Sequence, residues 1–232
     1  MTDLARARQI ALAALALVLS ACASTAQRPT TYTVKRGDTL YSVAWRHRVE
    51  YRDLARWNGI GRGYVIHPGQ TLRLYPPPGR PAARPAPVNA RAPAVARATA
   101  VSPKTASSAS SVRWQWPVSG GAARLTTRPN GGQGLTIGGR LGQEIRAAGA
   151  GRVVYKGSGL LGYGQLVIIK HNETYLSAYG HTQSVSIREG DAVAAGQRIA
   201  TMGSGPKGEP MLYFEIRVKG QPNNPLTFLP KR

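Results

Sequence analysis

An internal disulfide is excluded at the outset, because Cys22 is the chain's single cysteine. Acidic residues are scarce too, 10 against 31 lysines and arginines, which leaves a formal net charge of +21. Such a field draws polyanions and raises encounter rates with them. Histidine occurs four times, and the only aspartate beyond Asp53 is Asp191. A catalytic zinc takes three protein ligands, usually histidine or carboxylate. The C-terminal half, with only His171 and His181, matches no standard ligand spacing. Long apolar runs are also missing: Ile10 to Leu19 falls short of the ~20 residues that span a bilayer. That run follows Arg6 and Arg8 and leads into small residues, which is a secretory signal pattern and stands outside the fold. The 232 residues have room for one large domain or two small ones.

The signal ends Leu19-Ser20-Ala21-Cys22, which resembles a bacterial lipobox. Residues 1–21 are then a lipoprotein signal peptide and Cys22 the acylated residue, a membrane anchor on an otherwise soluble chain. Ala23, not aspartate, follows the cysteine, and by the sorting rule of bacterial lipoproteins the resemblance implies the periplasmic face of the outer membrane. Nucleic acid is not a partner there. The counter-charges become peptidoglycan carboxylates, anionic lipid head groups or an acidic protein, and part of the basic excess reflects a composition rich in Ala, Arg and Pro.

Between residues 31 and 75 the pattern reads strand, helix, helix, strand. Tyr32-Thr33-Val34 is β-prone, Asp38 is placed as the cap of a helix burying Leu40, Val43 and Ala44, and a second helix runs from about Tyr51 to Asn58. Pro68-Gly69-Gln70 turns the chain into the strand Thr71 to Leu74. The runs Tyr32 to Leu40, Leu54 to Asn58 and Ile66 to Leu72 resemble a LysM module over its whole length. The resemblance implies a groove for N-acetylglucosamine-containing glycan, with Gly37, Asp38, Thr39 and Leu40 on one side and the stretch from Asn58 to Ile66 on the other. Asp38 suits a cap better than a sugar contact, and Trp57 is open between core and stacking platform.

Residues 76–113 are dominated by Ala, Pro, Arg and Ser, and from Pro76 to Ser111 there is no acidic or aromatic residue. Such a segment buries too little apolar surface to offset chain entropy and reads as a disordered linker. At ~3 Å per residue it would reach on the order of 100 Å, leaving one module to hold the wall while the other searches. Residues 114–232 are punctuated by glycine and carry short strands at Arg152–Tyr155, Gln165–Ile169, Tyr175–Tyr179 and Leu212–Val218. Without long helical patterns these indicate a mainly antiparallel β domain.

That domain resembles the LytM/lysostaphin-type zinc endopeptidases (peptidase M23). The resemblance is carried by Trp116-Pro117-Val118, Ala147 to Tyr155, Gly162-Tyr163-Gly164, Ser177 to His181 and Val193 to Ala200. It implies zinc ligands from His-x-x-x-Asp and His-x-His motifs, but those positions here hold Gly132 with Thr136 and Met211 with Tyr213. His181 matches the family's catalytic histidine and, with no metal to serve, reads as a polar residue at a strand end. No cofactor is expected in this chain.

Degenerate LytM domains of this kind are found in activators of periplasmic N-acetylmuramyl-L-alanine amidases. A lipobox, LysM module, linker and degenerate LytM domain together resemble the NlpD-like lipoproteins. By that resemblance the vacated cleft, lined by Gln133, Thr136, His181, Met211, Tyr213 and Arg217, docks a periplasmic zinc amidase and stabilises its open form during wall remodelling and daughter-cell separation. Alternation along Met211 to Arg217 puts Met211, Tyr213, Glu215 and Arg217 on one face, and Tyr and Arg are favoured interface anchors. A non-catalytic tether or scaffold binding peptidoglycan with both modules is the alternative, ahead of an active endopeptidase.

Overall fold

Chain alternation and turn chemistry set the N-terminal module in a computed structural model that describes residues 29–77, 112–127 and 132–232. The signal segment with Cys22 and most of the 76–113 connection lie outside the described residues. Strand β1 (Thr31–Thr33) is followed by helices α1 (Leu40–His47) and α2 (Tyr51–Trp57) and by β2 (Thr71–Arg73), which pairs antiparallel with β1, Tyr32 opposite Leu72. The apolar faces meet as the spacing requires: Leu40, Val43, Leu54 and Leu72 are wholly buried.

The cap of α1 is Thr39, not Asp38. Thr39 Oγ1 accepts from Ser42 N at 3.1 Å and Ser42 Oγ accepts from Thr39 N at 3.0 Å, a reciprocal capping box. Asp38, one residue too early, ties the preceding loop, accepting from Tyr32 Oη at 2.7 Å and Lys35 N at 2.9 Å.

The C-terminal domain is built from β3 (Ala123–Thr127), β4 (Gln133–Gly138), β5 (Glu144–Arg146), β6 (Gly151–Gly157), β7 (Leu166–Lys170), β8 (Tyr175–Gly180), β9 (Thr182–Val185), β10 (Ala192–Val193), β11 (Arg198–Ser204), β12 (Pro210–Val218) and β13 (Gln221–Asn223). The described pairings are all antiparallel. The main sheet runs β10-β6-β7-β8-β12-β4-β3; β5 and β9 flank β11, which joins the sheet through its pairing with β12.

Period-two alternation on β12 divides the domain. Leu212, Phe214 and Ile216 enter one apolar core with Tyr179, Val167 and Ile169. Met211 and Tyr213 point the other way and join Tyr155, Leu160, Tyr163 and Ile168 in a second core, completed by Leu40, Trp45, Leu54 and other residues of the LysM module. The two modules therefore share a core. This departs from the expectation of independent modules on a long tether, because the sheet's second face is apolar and α1 covers it.

Candidate functional site

Strand β12 is the centre of the site, with Tyr213 directly across from Thr136 on β4 and from Gly180 on β8. Two of the positions that would carry metal ligands, Thr136 and Tyr213, are thus brought together, and neither suits zinc. Thr136 Oγ1 is engaged with Thr126 Oγ1 at 2.8 Å. The Tyr213 phenol lies over Gly134, where an added Cβ would stand 2.6 Å from both Cζ and Oη. Tyr213 thus fills space above β4 that a larger residue at 134 would claim.

The one carboxylate in this layer is also committed. Glu215 is wholly buried. Its Oε1 accepts from Arg217 Nε at 2.6 Å, and its Oε2 accepts from Tyr163 Oη and Tyr213 Oη, each at 3.1 Å. One buried cation and two phenols already occupy three of the roughly four lone-pair sites of Glu215. Among the described residues, no group of three or more His, Cys, Asp or Glu side chains is placed to hold an ion. The donor set does not fit zinc.

His181 stands beside the cleft with a left-handed backbone (φ 58°), its N–H donating to Tyr163 O at 2.8 Å and its carbonyl accepting from Gly203 N at 2.9 Å. His171 belongs to the other core. One ring nitrogen faces Ala150 O at 2.8 Å and the other faces Ser177 Oγ at 2.7 Å, and burial pulls its pKa down to about 4.

Met211, Tyr213 and Arg217 were expected as an open cleft but are 6%, 2% and 1% exposed. The cause is α1 of the LysM module. The Arg217 guanidinium lies 3.5 Å from the Trp45 ring centroid and donates through Nη1 to Trp45 O at 2.7 Å. Trp45 meets Tyr163 edge-on at 6.5 Å, and Tyr163 meets Tyr213 at 5.6 Å. Gln133 and Thr136, on the β4 side, stay partly exposed.

The candidate glycan residues divide differently from the expected two walls. Leu40 is core and faces no groove. Asn58 bridges α2 to β2, its amide donating to Leu54 O at 2.8 Å and Arg73 O at 2.9 Å while Oδ1 accepts from Arg73 N at 2.7 Å. A depression of about 450 Å³ is lined by residues of the loop that follows, among them Asn58, Ile60, Tyr64, Val65 and His67. Ile66 is not part of that lining, and neither are Gly37, Asp38 and Thr39. Thr39 Oγ1 instead donates to Val154 O on β6 at 3.2 Å.

Two family models match this architecture: LysM domain over residues 32–74 and Peptidase family M23 over residues 130–225. A Pseudomonas aeruginosa protein described as lipoprotein NlpD/LppB homolog is 42% identical over 247 residues, covering 92% of this chain and 82% of its own. The chain belongs to the NlpD/LppB lipoprotein family. Another relative, the murein hydrolase activator NlpD of Escherichia coli, is 35% identical, covering 87% of this chain and 68% of its own. The Escherichia coli lipoprotein YgeR is 36% identical over 95% of this chain and 92% of its own. Among solved structures, the peptidase lysostaphin from Staphylococcus simulans overlays on 47% of this chain and 48% of its own, with a TM-score of 0.43 at 24% identity.

The residues that sequence reasoning passed over are Glu215 as the hub of the buried layer and Trp45 as its cover. Glu215 had a local signal, a lone acid on the same alternating face as Tyr213 and Arg217. Trp45 had none, since its contact with Arg217 spans 172 positions.

Proposed function

We propose that this chain is a murein hydrolase activator: an outer-membrane lipoprotein, anchored through Cys22, that binds peptidoglycan with its LysM module and stimulates a periplasmic zinc amidase with its catalytically inert M23 domain. The observation that carries the reading is the fate of the ligand positions. Gly132, Thr136 and Tyr213 offer no imidazole or carboxylate, and Glu215 is consumed by Arg217, Tyr163 and Tyr213. A metal bound here would have neither the three ligands nor the open position that water activation needs. Relatives named as murein hydrolase activators support the same assignment. The Tyr213 and Arg217 side of β12, with Gln133, Thr136, Met211 and His181 around it, is the surface proposed to meet the amidase.

The test is release of dye from labelled sacculi by the purified chain, alone and with periplasmic amidases of Pseudomonas aeruginosa, beside zinc analysis of the pure protein. The expected result is no stoichiometric zinc, no release by the chain alone, and accelerated release when an amidase is present. Release by the chain alone together with one equivalent of zinc would make it a peptidase. Inertness in every combination would leave a wall tether.

A further inference from the structure

The face of β12 assigned above to the amidase is held by the chain's own LysM module, and the contacts extend well beyond Trp45. Tyr51 Oη donates to Glu173 Oε2 at 2.8 Å, and Arg52 Nη1 pairs with the same carboxylate oxygen at 3.5 Å. Gln221 Nε2 donates to Arg48 O at 3.1 Å. On the loop leading into α1, Thr39 Oγ1 is held by Val154 O, and Arg46 Nη2 joins Asp38 at 3.3 Å to Gly159 O at 3.1 Å. The residues expected to form one wall of the glycan groove therefore also form the seam with β6.

We propose that the LysM module is an intramolecular plug on the β12 face, and that glycan held at the Gly37–Thr39 loop competes with its docking, so that wall-bound chains are those with the face open. The role of the opened face rests on the activator reading; the plug itself stands on the contacts. Three features suit a reversible seat. Its centre is a charged network, Glu215 with Arg217, of a kind that adds little net stability once desolvation is counted. Trp45 Nε1, His47 Nε2, and Arg48 Nε and Nη2, all at the docked end of α1, are buried without hydrogen-bond partners among the described residues. Buried polar atoms without partners destabilise this end of the helix as packed. The peripheral contacts run through single hydrogen bonds and the exposed Glu173.

A wedge at Gly220 tests this without entering either core. Lys219 and Gly220 form the turn between β12 and β13, with φ of 48° and 76°. An added Cβ at Gly220 would stand 2.9 Å from Glu50 Cα, Glu50 N and Val49 O, which are backbone atoms of the LysM module and cannot swing aside. Asparagine tolerates the left-handed region, so Gly220→Asn keeps the turn while forcing the modules apart. Gly208→Asn, at φ +85° with nothing within 4 Å, is the control for backbone strain alone.

In the full mature chain made soluble by Cys22→Ser, X-ray scattering should show Gly220→Asn expanded and Gly208→Asn unchanged. Half-maximal stimulation of the amidase should need roughly tenfold less Gly220→Asn than native chain, since apparent affinity scales with the open fraction and about one tenth open gives that factor. A tetramer of N-acetylglucosamine should expand the native chain to the size of the Gly220→Asn chain. A compact Gly220→Asn/Glu173→Arg chain, or a native chain whose size ignores the glycan, overturns the proposal. An expanded variant that stimulates no better than the native chain overturns the plug and leaves the activator reading standing. Failure of both forms to stimulate, with expansion observed, overturns the activator reading and the plug's purpose with it.

Discussion

Replacing Glu215 by leucine should be the most damaging single change in the C-terminal domain. It leaves the Arg217 guanidinium, 1% exposed, without its carboxylate and, among the described residues, with the Trp45 ring and carbonyl as partners. It also strips the acceptor from the Tyr163 and Tyr213 hydroxyls. Breaking a buried ion pair by removing one partner costs about 3–5 kcal/mol. At about 2–4 °C per kcal/mol for a unit of this size, the melting midpoint should fall by ~6–20 °C. The double change Glu215→Leu/Arg217→Met removes both charges, leaving chiefly the loss of this acceptor for the two phenols, ~1 kcal/mol each. It should therefore recover ~1–3 kcal/mol of what the single change loses, the hallmark of coupled sites in a double-mutant cycle. Urea unfolding followed by circular dichroism on the soluble Cys22→Ser chain supplies all four corners. Should the double variant be less stable than Glu215→Leu by the full cost of Arg217→Met, the two groups are independent and the account of the site as a closed network is wrong.

His171 gives a pH-dependent prediction. Burial lowers its folded pKa to about 4, below the ~6.5 of the unfolded chain. Its contribution is fully present above pH 6.5 and is lost as pH falls from there toward 4, because the unfolded state takes up the proton first; between pH 7 and 5 this amounts to ~2 kcal/mol. Urea midpoints at those two pH values should differ by less in His171→Gln, and an undiminished slope would place the proton uptake elsewhere. For the anchor, Cys22→Ser should move the chain from the membrane fraction to the soluble fraction after removal of sacculi, since one acylated cysteine is the expected attachment; unchanged fractionation counts against lipidation.

The fold was legible because its signals are local. Glycine punctuation and alternation from Met211 to Val218 mark β12, and the spacing of Leu40, Val43, Leu54 and Leu72 marks the βααβ module. The shift of the helix cap from Asp38 to Thr39 came from a competition between two good capping residues, decided by Ser42 three positions after Thr39. The composition of the ligand positions was readable too. Their closure was not, because Tyr163 reaches Glu215 across 52 positions and Arg217 reaches Trp45 across 172. Such contacts depend on tertiary packing, and alternation alone made Tyr213 and Arg217 look like a surface.

The close fit of Tyr213 over Gly134 locks the two positions together. The phenol occupies the volume into which any side chain at 134 would grow, so each residue fixes the other. Tyr213→His would restore one imidazole while withdrawing a donor from Glu215, and Gly132 and Thr136 would still supply no ligand. The step at Tyr213 therefore loses packing and a hydrogen bond, and the step at Thr136 loses its bond to Thr126, before any affinity for zinc is gained. A zinc site on this scaffold would require several substitutions made together.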